Sequence, residues 1–353
     1  MSASKLKSAM IVGILALLVG CGSSEKDRPI GAVVAISVPL GLPPVPIPAD
    51  NVPTAETIAL GRKLFYDVRL SNDNTQSCAS CHDSKLGFSD GRRLSIGVHG
   101  LAGVRNAPTL LNAAYLPLQF WDGRAASLEM QTALPIQDHR EMDVSPARLL
   151  FRLNTDATYR AMCEKAFGSR LLDMVEVEKS ISAFERTLLS GDSPFDRFYF
   201  GGDKSALTAA QIRGLLIFQD PGSGNCAVCH SIRKNDALFT DGKFHNLGIG
   251  VGDDESLTDN GRFGQTGTAS DTGTFLTPTL RNVALTAPYM HDGSEKTLEA
   301  VMDYYAGHGN SNPYLDPEMT KIHLSAQDKS DLVEFMKALT GAMPQQAGPP
   351  TKE

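Results

Sequence analysis

The sequence has no apolar run long enough to cross a bilayer, no surplus of positive charge and a single tryptophan, Trp121. Each shortage excludes something. The most apolar run, AMIVGILALLVG at residues 9–20, falls well short of the ~20 residues that a spanning helix needs. With Lys5 and Lys7 ahead of it, it reads as a secretory signal peptide covering residues 1–20. A formal net charge of −7 at pH 7 argues against nucleic acid and favours a basic protein partner. One indole in the chain means that any role for tryptophan falls on Trp121. The length of 353 residues holds one large domain or two medium ones.

Cysteine is also scarce, and its placement carries most of the information. Leu18-Val19-Gly20-Cys21 resembles a bacterial lipobox, whose cysteine becomes the lipidated N-terminus. Gly22 in place of aspartate points to the periplasmic side of the outer membrane in a Gram-negative host; without lipidation the protein would be periplasmic or secreted. Residues 21–54 are rich in Gly, Ser and Pro and read as an extended spacer. Cys78, Cys81, Cys226 and Cys229 fall in Cys78-Ala79-Ser80-Cys81-His82 and Cys226-Ala227-Val228-Cys229-His230. C-x-x-C-H is the spacing of covalent c-type haem attachment: two thiols take the vinyl groups, and His82 or His230 supplies the proximal iron ligand. A shared four-cysteine zinc site and structural disulfides are the competing readings; a histidine after both pairs favours two haems. Cys163 falls on a helical pattern as a small apolar residue.

The two haem motifs sit in two copies of one pattern. GRKLFYD…CASCH…LGFSDG…APTLLNAA…WDGRAASLE returns as RGLLIFQD…CAVCH…ALFTDG…TPTLRNVA…HDGSEKTLE. A linker-like stretch at residues 189–205 separates them. The fold class is mainly α, with two cytochrome c-like haem domains related by duplication and joined by long loops. The expected boundaries are residues 55–195 and 196–341, with a flexible tail at 342–353. Capping boxes at Thr208 and Ser325, Pro146 after Ser145, and a stop at Thr340-Gly341 mark helix ends. Residues 241–274 read as loop with short strands. Anchoring the copies on Asp122-Gly123 and Asp292-Gly293 pairs Pro135 with Tyr305. Proline has no side-chain atom to ligate iron; tyrosine has a phenol oxygen. One iron would then keep an open sixth position and the other would be filled.

Taken with Arg105-Asn106-Ala107-Pro108-Thr109, Gln119 to Arg124, Phe184-Glu185-Arg186-Thr187 and Leu280 to Thr286, the chain resembles the bacterial dihaem cytochrome c peroxidases and the related MauG enzymes over residues 55–341. The resemblance implies a high-spin, peroxide-binding haem on His82, with Gln131, Pro135 and Glu141 on its distal side. It implies that Glu141 shuttles a proton between the peroxide oxygens, that Gln131 orients the ligand, and that Trp121 relays electrons between the haems. Asn106, Thr286 and Pro288 match an inter-haem calcium site. His99 lies in the loop where these peroxidases carry a removable distal histidine. His245 and His291 recur as motif residues suited to structural or propionate contacts. His139, His308 and His323 carry no signal. Where dihaem peroxidases place a distal methionine on the C-terminal haem, this chain has Tyr305, as MauG does, with Met302 one helical turn earlier as the alternative.

Three functions follow from that resemblance. One is reduction of hydrogen peroxide with electrons entering through the C-terminal haem from a small cytochrome c or cupredoxin. Another is peroxide-dependent oxidation of residues on a partner protein through a high-valent dihaem state. The third is a dihaem electron carrier without turnover, which Pro135, Gln131 and Glu141 speak against. Family members are often homodimers.

Overall fold

The computed structural model describes residues 27–252 and 255–351; residues 1–20, read above as a signal peptide, and Cys21 lie outside them. Eleven helical segments follow in order: α1 (Ala55–Phe65), α2 (Cys78–Cys81), α3 (Leu128–Gln137), α4 (Pro146–Thr155), α5 (Ala157–Phe167), α6 (Met174–Glu185), α7 (Pro194–Tyr199), α8 (Ala209–Gln219), α9 (Phe263–Thr266), α10 (Leu298–Ala306) and α11 (Ala326–Lys337). The two described strands, β1 (Phe244–His245) and β2 (Phe275–Leu276), pair antiparallel. No described helix is long and apolar enough to cross a membrane.

Helix α1 starts at Thr54, whose side chain and that of Thr57 cap each other's backbone N–H. Its Leu60, Leu64 and Phe65 fall on one face and are fully buried. That face meets α6, and the axes come close because Gly61 has no side chain: a Cβ there would lie 1.8 Å from the Ser180 carbonyl oxygen. The second half repeats the device. Helix α8 packs on α11, and a Cβ on Gly214 would lie 2.1 Å from the Asp331 carbonyl oxygen. Gly61 and Gly214 hold the same place in GRKLF and GLLIF, so the duplication extends to a contact between helices. Asn112 and Asn282 repeat as left-handed residues, φ 64 and 60, before short 3-10 turns. Capping at Thr208, Ser325 and Ser145 agrees with the sequence.

Four compositional expectations are corrected. Residues 27–54 are extended but are not a free spacer. Leu42 joins Leu189 and Leu238 in a small core, Asp192 N–H donates to Leu40 O, and Arg281 Nη2 donates to Gly41 O at 2.7 Å. Backbone groups without a helix or sheet partner are satisfied here by the rest of the protein. Residues 189–205 are not a linker: α7 buries Phe195 and Asp196, and Asp196 receives Arg281 Nη1 and Nη2 at 2.8 Å. The tail is not loose either. Ala347 is buried in the N-terminal core, its carbonyl accepts from Tyr66 Oη, and Arg62 Nε donates to Gly348 O at 2.7 Å. The last helix ends at Lys337, before Thr340-Gly341; Gly341 N–H instead donates to Asn282 Oδ1 at 3.0 Å.

Candidate active site

Each half encloses a cavity with its C-x-x-C-H motif in the wall. The first is lined by Cys78, Cys81, His82, Gln131, Pro135, Glu141 and Glu185, among others. The second is lined by Cys226, Cys229, His230, Trp121, Met302 and Tyr305, among others. The two cysteine pairs therefore do not converge on one metal, and Cys78, Cys81, Cys226 and Cys229 form no disulfide, so neither the zinc nor the disulfide reading holds.

The two histidines are oriented alike. His82 Nδ1 lies 3.0 Å from Phe88 O, and His230 Nδ1 lies 2.8 Å from Phe239 O. Both phenylalanines adopt left-handed backbone, φ 61 and 53, which turns their carbonyls towards the rings. A ring that donates from Nδ1 to a carbonyl presents Nε2 as its ligand atom. Burial pushes both imidazoles below their usual pKa, so they are neutral, as iron ligation requires. Burial also pushes the Cys81 thiol up to about 11 and the Cys226 thiol up to about 12. Two thiols, one imidazole Nε2 and a largely apolar remainder fit a covalently held haem c in each cavity.

The opposite positions in the two cavities differ as Pro135 and Tyr305 do. Ser127 and Thr297 cap α3 and α10 at matching places, so the helices enter their cavities in register. Pro135, inside α3, offers no ligand atom. Glu141 follows in a tight turn: its N–H donates to Asp138 O at 3.0 Å and its carbonyl accepts from Val98 N–H at 2.9 Å. Gly97 lets that loop approach, since a Cβ there would lie 2.0 Å from Arg140 O. Burial, with Asp138 adding to it and Arg124 opposing, pushes the Glu141 carboxyl up to about 6. Gln131 lines the same cavity. His99 does not: it is exposed, in left-handed backbone at φ 57, with Nδ1 3.9 Å from Asp73 Oδ2.

On α10, Tyr304 Oη donates to Leu247 O at 2.8 Å and is thereby turned aside. Tyr305 and Met302 both face the second cavity; Met302 is 5% exposed and packs within the C-terminal core. Burial pushes the Tyr305 phenol well above its usual value. No described protein group receives or donates a hydrogen bond at its hydroxyl, which distinguishes it from Tyr304.

Trp121 bridges the halves. Its Nε1–H donates to Asn106 O at 2.9 Å, its carbonyl accepts from Leu276 N–H, and its ring lies edge-on to His291, centroids 6.5 Å apart. His291 stacks on Phe275, and burial pushes its pKa down to about 4. Asn106, Thr286 and Pro288 line the same cavity as Trp121. His245 is held between Asp316 (2.6 Å) and Asp241 (3.1 Å), and hydrogen bonding to Asp316 above all pushes its pKa up to about 11. His139 is exposed, while His308 and His323 meet edge-on at 5.8 Å. Cys163 is buried in α5, as its pattern implies. Glu185, quoted above only as part of a motif, proves to line the first cavity. Its signal was a carboxylate directly after the apolar pair Ala183-Phe184, on a helix that also carries Glu176, Glu178 and Lys179.

A mainly helical chain with two haem c cavities in duplicated halves is a dihaem c-type cytochrome. A family model described as di-haem cytochrome c peroxidase matches residues 55–205, and one described as cytochrome c matches residues 212–340. Methylamine utilization protein MauG of Methylophilus methylotrophus is 36% identical over 299 residues, covering 84% of this chain and 86% of that protein. Cytochrome c551 peroxidase of Nitrosomonas europaea is 33% identical, covering 96% and 93%. A crystal structure of a MauG-like protein associated with microbial copper homeostasis superposes with a TM-score of 0.78 at 35% identity, covering 86% of this chain and 95% of that one. The chain belongs to the di-haem cytochrome c peroxidase family, oxidoreductases with peroxide as acceptor.

Proposed function

We propose that the protein reduces hydrogen peroxide in the N-terminal cavity, using electrons that enter through the C-terminal haem from a small cytochrome c or cupredoxin. The observation that carries this reading is the contrast between the cavities: Pro135 offers the first no ligand atom, while Tyr305, with Met302 beside it, faces the second. When bound, the N-terminal haem supplies the iron at which the O–O bond is reduced. Gln131 orients peroxide by hydrogen bonding. Glu141, as carboxylate, accepts the proton of the near oxygen and returns it to the far one, which leaves as water. Each turnover consumes one peroxide, two electrons and two protons, and releases two waters. Trp121, bonded to Asn106 in its own half and to Leu276 in the other, is suited to relay the electrons. Asn106, with the backbone carbonyls of Thr286 and Pro288, offers oxygen donors that suit calcium at that junction. The lipobox-like Leu18-Val19-Gly20-Cys21 supports a lipid anchor on the periplasmic side of the outer membrane in a Gram-negative host; Cys21→Ala should release the protein from the membrane fraction.

The decisive experiment is EPR of the ferric protein followed by optical titration with peroxide. One high-spin and one low-spin haem, with the high-spin centre responding to peroxide, is the expected result. Two low-spin haems inert to peroxide, even after half-reduction, would refute enzyme function.

A second reading, oxidation of residues on a partner protein, is favoured by Tyr305 facing the cavity of His230 where a thioether would suit simple electron entry. Met302 stays the competing ligand. Tyr305→Phe should change the low-spin EPR signal; an unchanged signal assigns the position to another residue.

A further inference from the structure

Glu185 ends α6, is 3% exposed and lines the N-terminal cavity with Cys78. Its Oε2 is buried without a hydrogen-bond partner. An ionised carboxylate so placed is strongly penalised unless a cation faces it. The nearest candidate is Arg186, but Arg186 is already committed. Its Nη1 lies 2.7 Å from Glu129 Oε1 and its Nη2 donates to Glu129 Oε2 at 3.1 Å. Asn51 completes that pair by donating to Glu129 at 2.7 Å. One cation therefore stands against two acids, and the charge left over is that of Glu185.

The other titratable groups around it come from each neighbouring element. Helix α3 brings Glu129, whose charge acts on Glu185 without lining the cavity; α2 brings Cys78 and Cys81 with His82 beyond, and the turn after α3 brings Glu141. Tyr66, at the end of α1, lies with its ring 6.5 Å from that of Phe184. None of these is a spare cation. Burial pushes the Glu185 carboxyl up to about 8, with Arg186 drawing it down and Glu129 pushing it further up. Covalent attachment converts both thiols to neutral thioethers and leaves this acid as a buried proton site beside the haem.

We propose that Glu185 is the redox-linked proton group of the N-terminal haem. At pH values above the raised carboxyl, as the haem gains an electron, the Glu185 carboxylate takes up one proton from solvent and becomes the neutral acid; on oxidation the proton returns. The charge of the cavity is then the same in both states, which keeps the electron's cost low in an apolar surrounding. Glu185 touches no substrate atom and acts as a tuning residue. The proposal rests on haem binding and not on peroxide as substrate, so it stands or falls separately from the proposed reaction.

The test is an optical redox titration of the holoprotein at several pH values between about 6 and 9, bracketing the shifted carboxyl. In wild type the electron affinity of the N-terminal haem should be flat below the raised carboxyl and fall by up to tenfold per pH unit, about 59 mV, above it. Glu185→Gln should flatten that dependence while leaving the pH profile of the C-terminal haem unchanged. Glu185→Asp keeps a carboxyl and should keep a pH-dependent potential with a displaced midpoint. A Gln variant that retains the wild-type slope overturns the proposal. Should the Gln variant fail to take up haem, a flat profile in Glu185→Asp overturns it equally.

Discussion

Glu141 and Tyr305 show what one side chain can decide. Glu141 has its pKa raised to about 6, so it is an acid below that pH and a base above it. Its proposed task begins with accepting a proton, and turnover should therefore rise with pH through about 6 and then level. Glu141→Gln should lower kcat by about 10²–10⁴-fold and remove the rising limb, as stopped-flow peroxide kinetics would show. Both haem motifs were legible because covalent attachment demands fixed spacing in sequence. His99 was less so, because its direction depends on a left-handed backbone and on Asp73, neither of which spacing encodes. Glu185 escaped for the opposite reason: a helix pattern shows that a residue is buried, not what its oxygen lacks.

At the scale of elements, caps and apolar periodicity identified helix starts reliably, since each cap is a local bargain between a side chain and the next turn. Composition failed where long-range hydrogen bonds supplied the structure. The segment around α7 reads as a linker by its Gly, Ser, Asp and Pro, yet it buries the pair Asp196 and Arg281, exposed by 0% and 1% at their side chains. Breaking one partner of such a pair leaves an uncompensated charge, so Asp196→Ala should destabilise the protein by about 3–5 kcal/mol in chemical denaturation. The turn carrying Glu141 depends on the bare backbone of Gly97. Gly97→Ala should displace it and lower peroxide turnover with haem content and spectrum of the C-terminal centre retained.

At the scale of the molecule, the halves are joined by polar contacts as well as by the core. Arg105 binds Asp122 at 2.6 Å within its own half and Asp259 at 2.7 Å in the other. Trp121 is fixed at the same junction by bonds to Asn106 and Leu276. Trp121→Phe preserves an aromatic ring there and should leave both haems in place while slowing electron transfer between them, measured by rapid mixing with a pre-reduced donor. The internal repeat made two cytochrome c-like halves legible from sequence. Their union was not, because the residues that clamp them come from loops with no periodicity.

The strap through Leu40, Gly41 and Leu42 has a consequence in time. It leaves the ribosome well before its partners Asp192, Leu238 and Arg281, the last 240 residues downstream of Gly41. Synthesis runs from the N-terminus, and contacts so distant in sequence close late. The segment must wait until Arg281, 240 residues further on, has been made. Its docking is therefore a closing step, made once both haem-bearing halves exist to receive it.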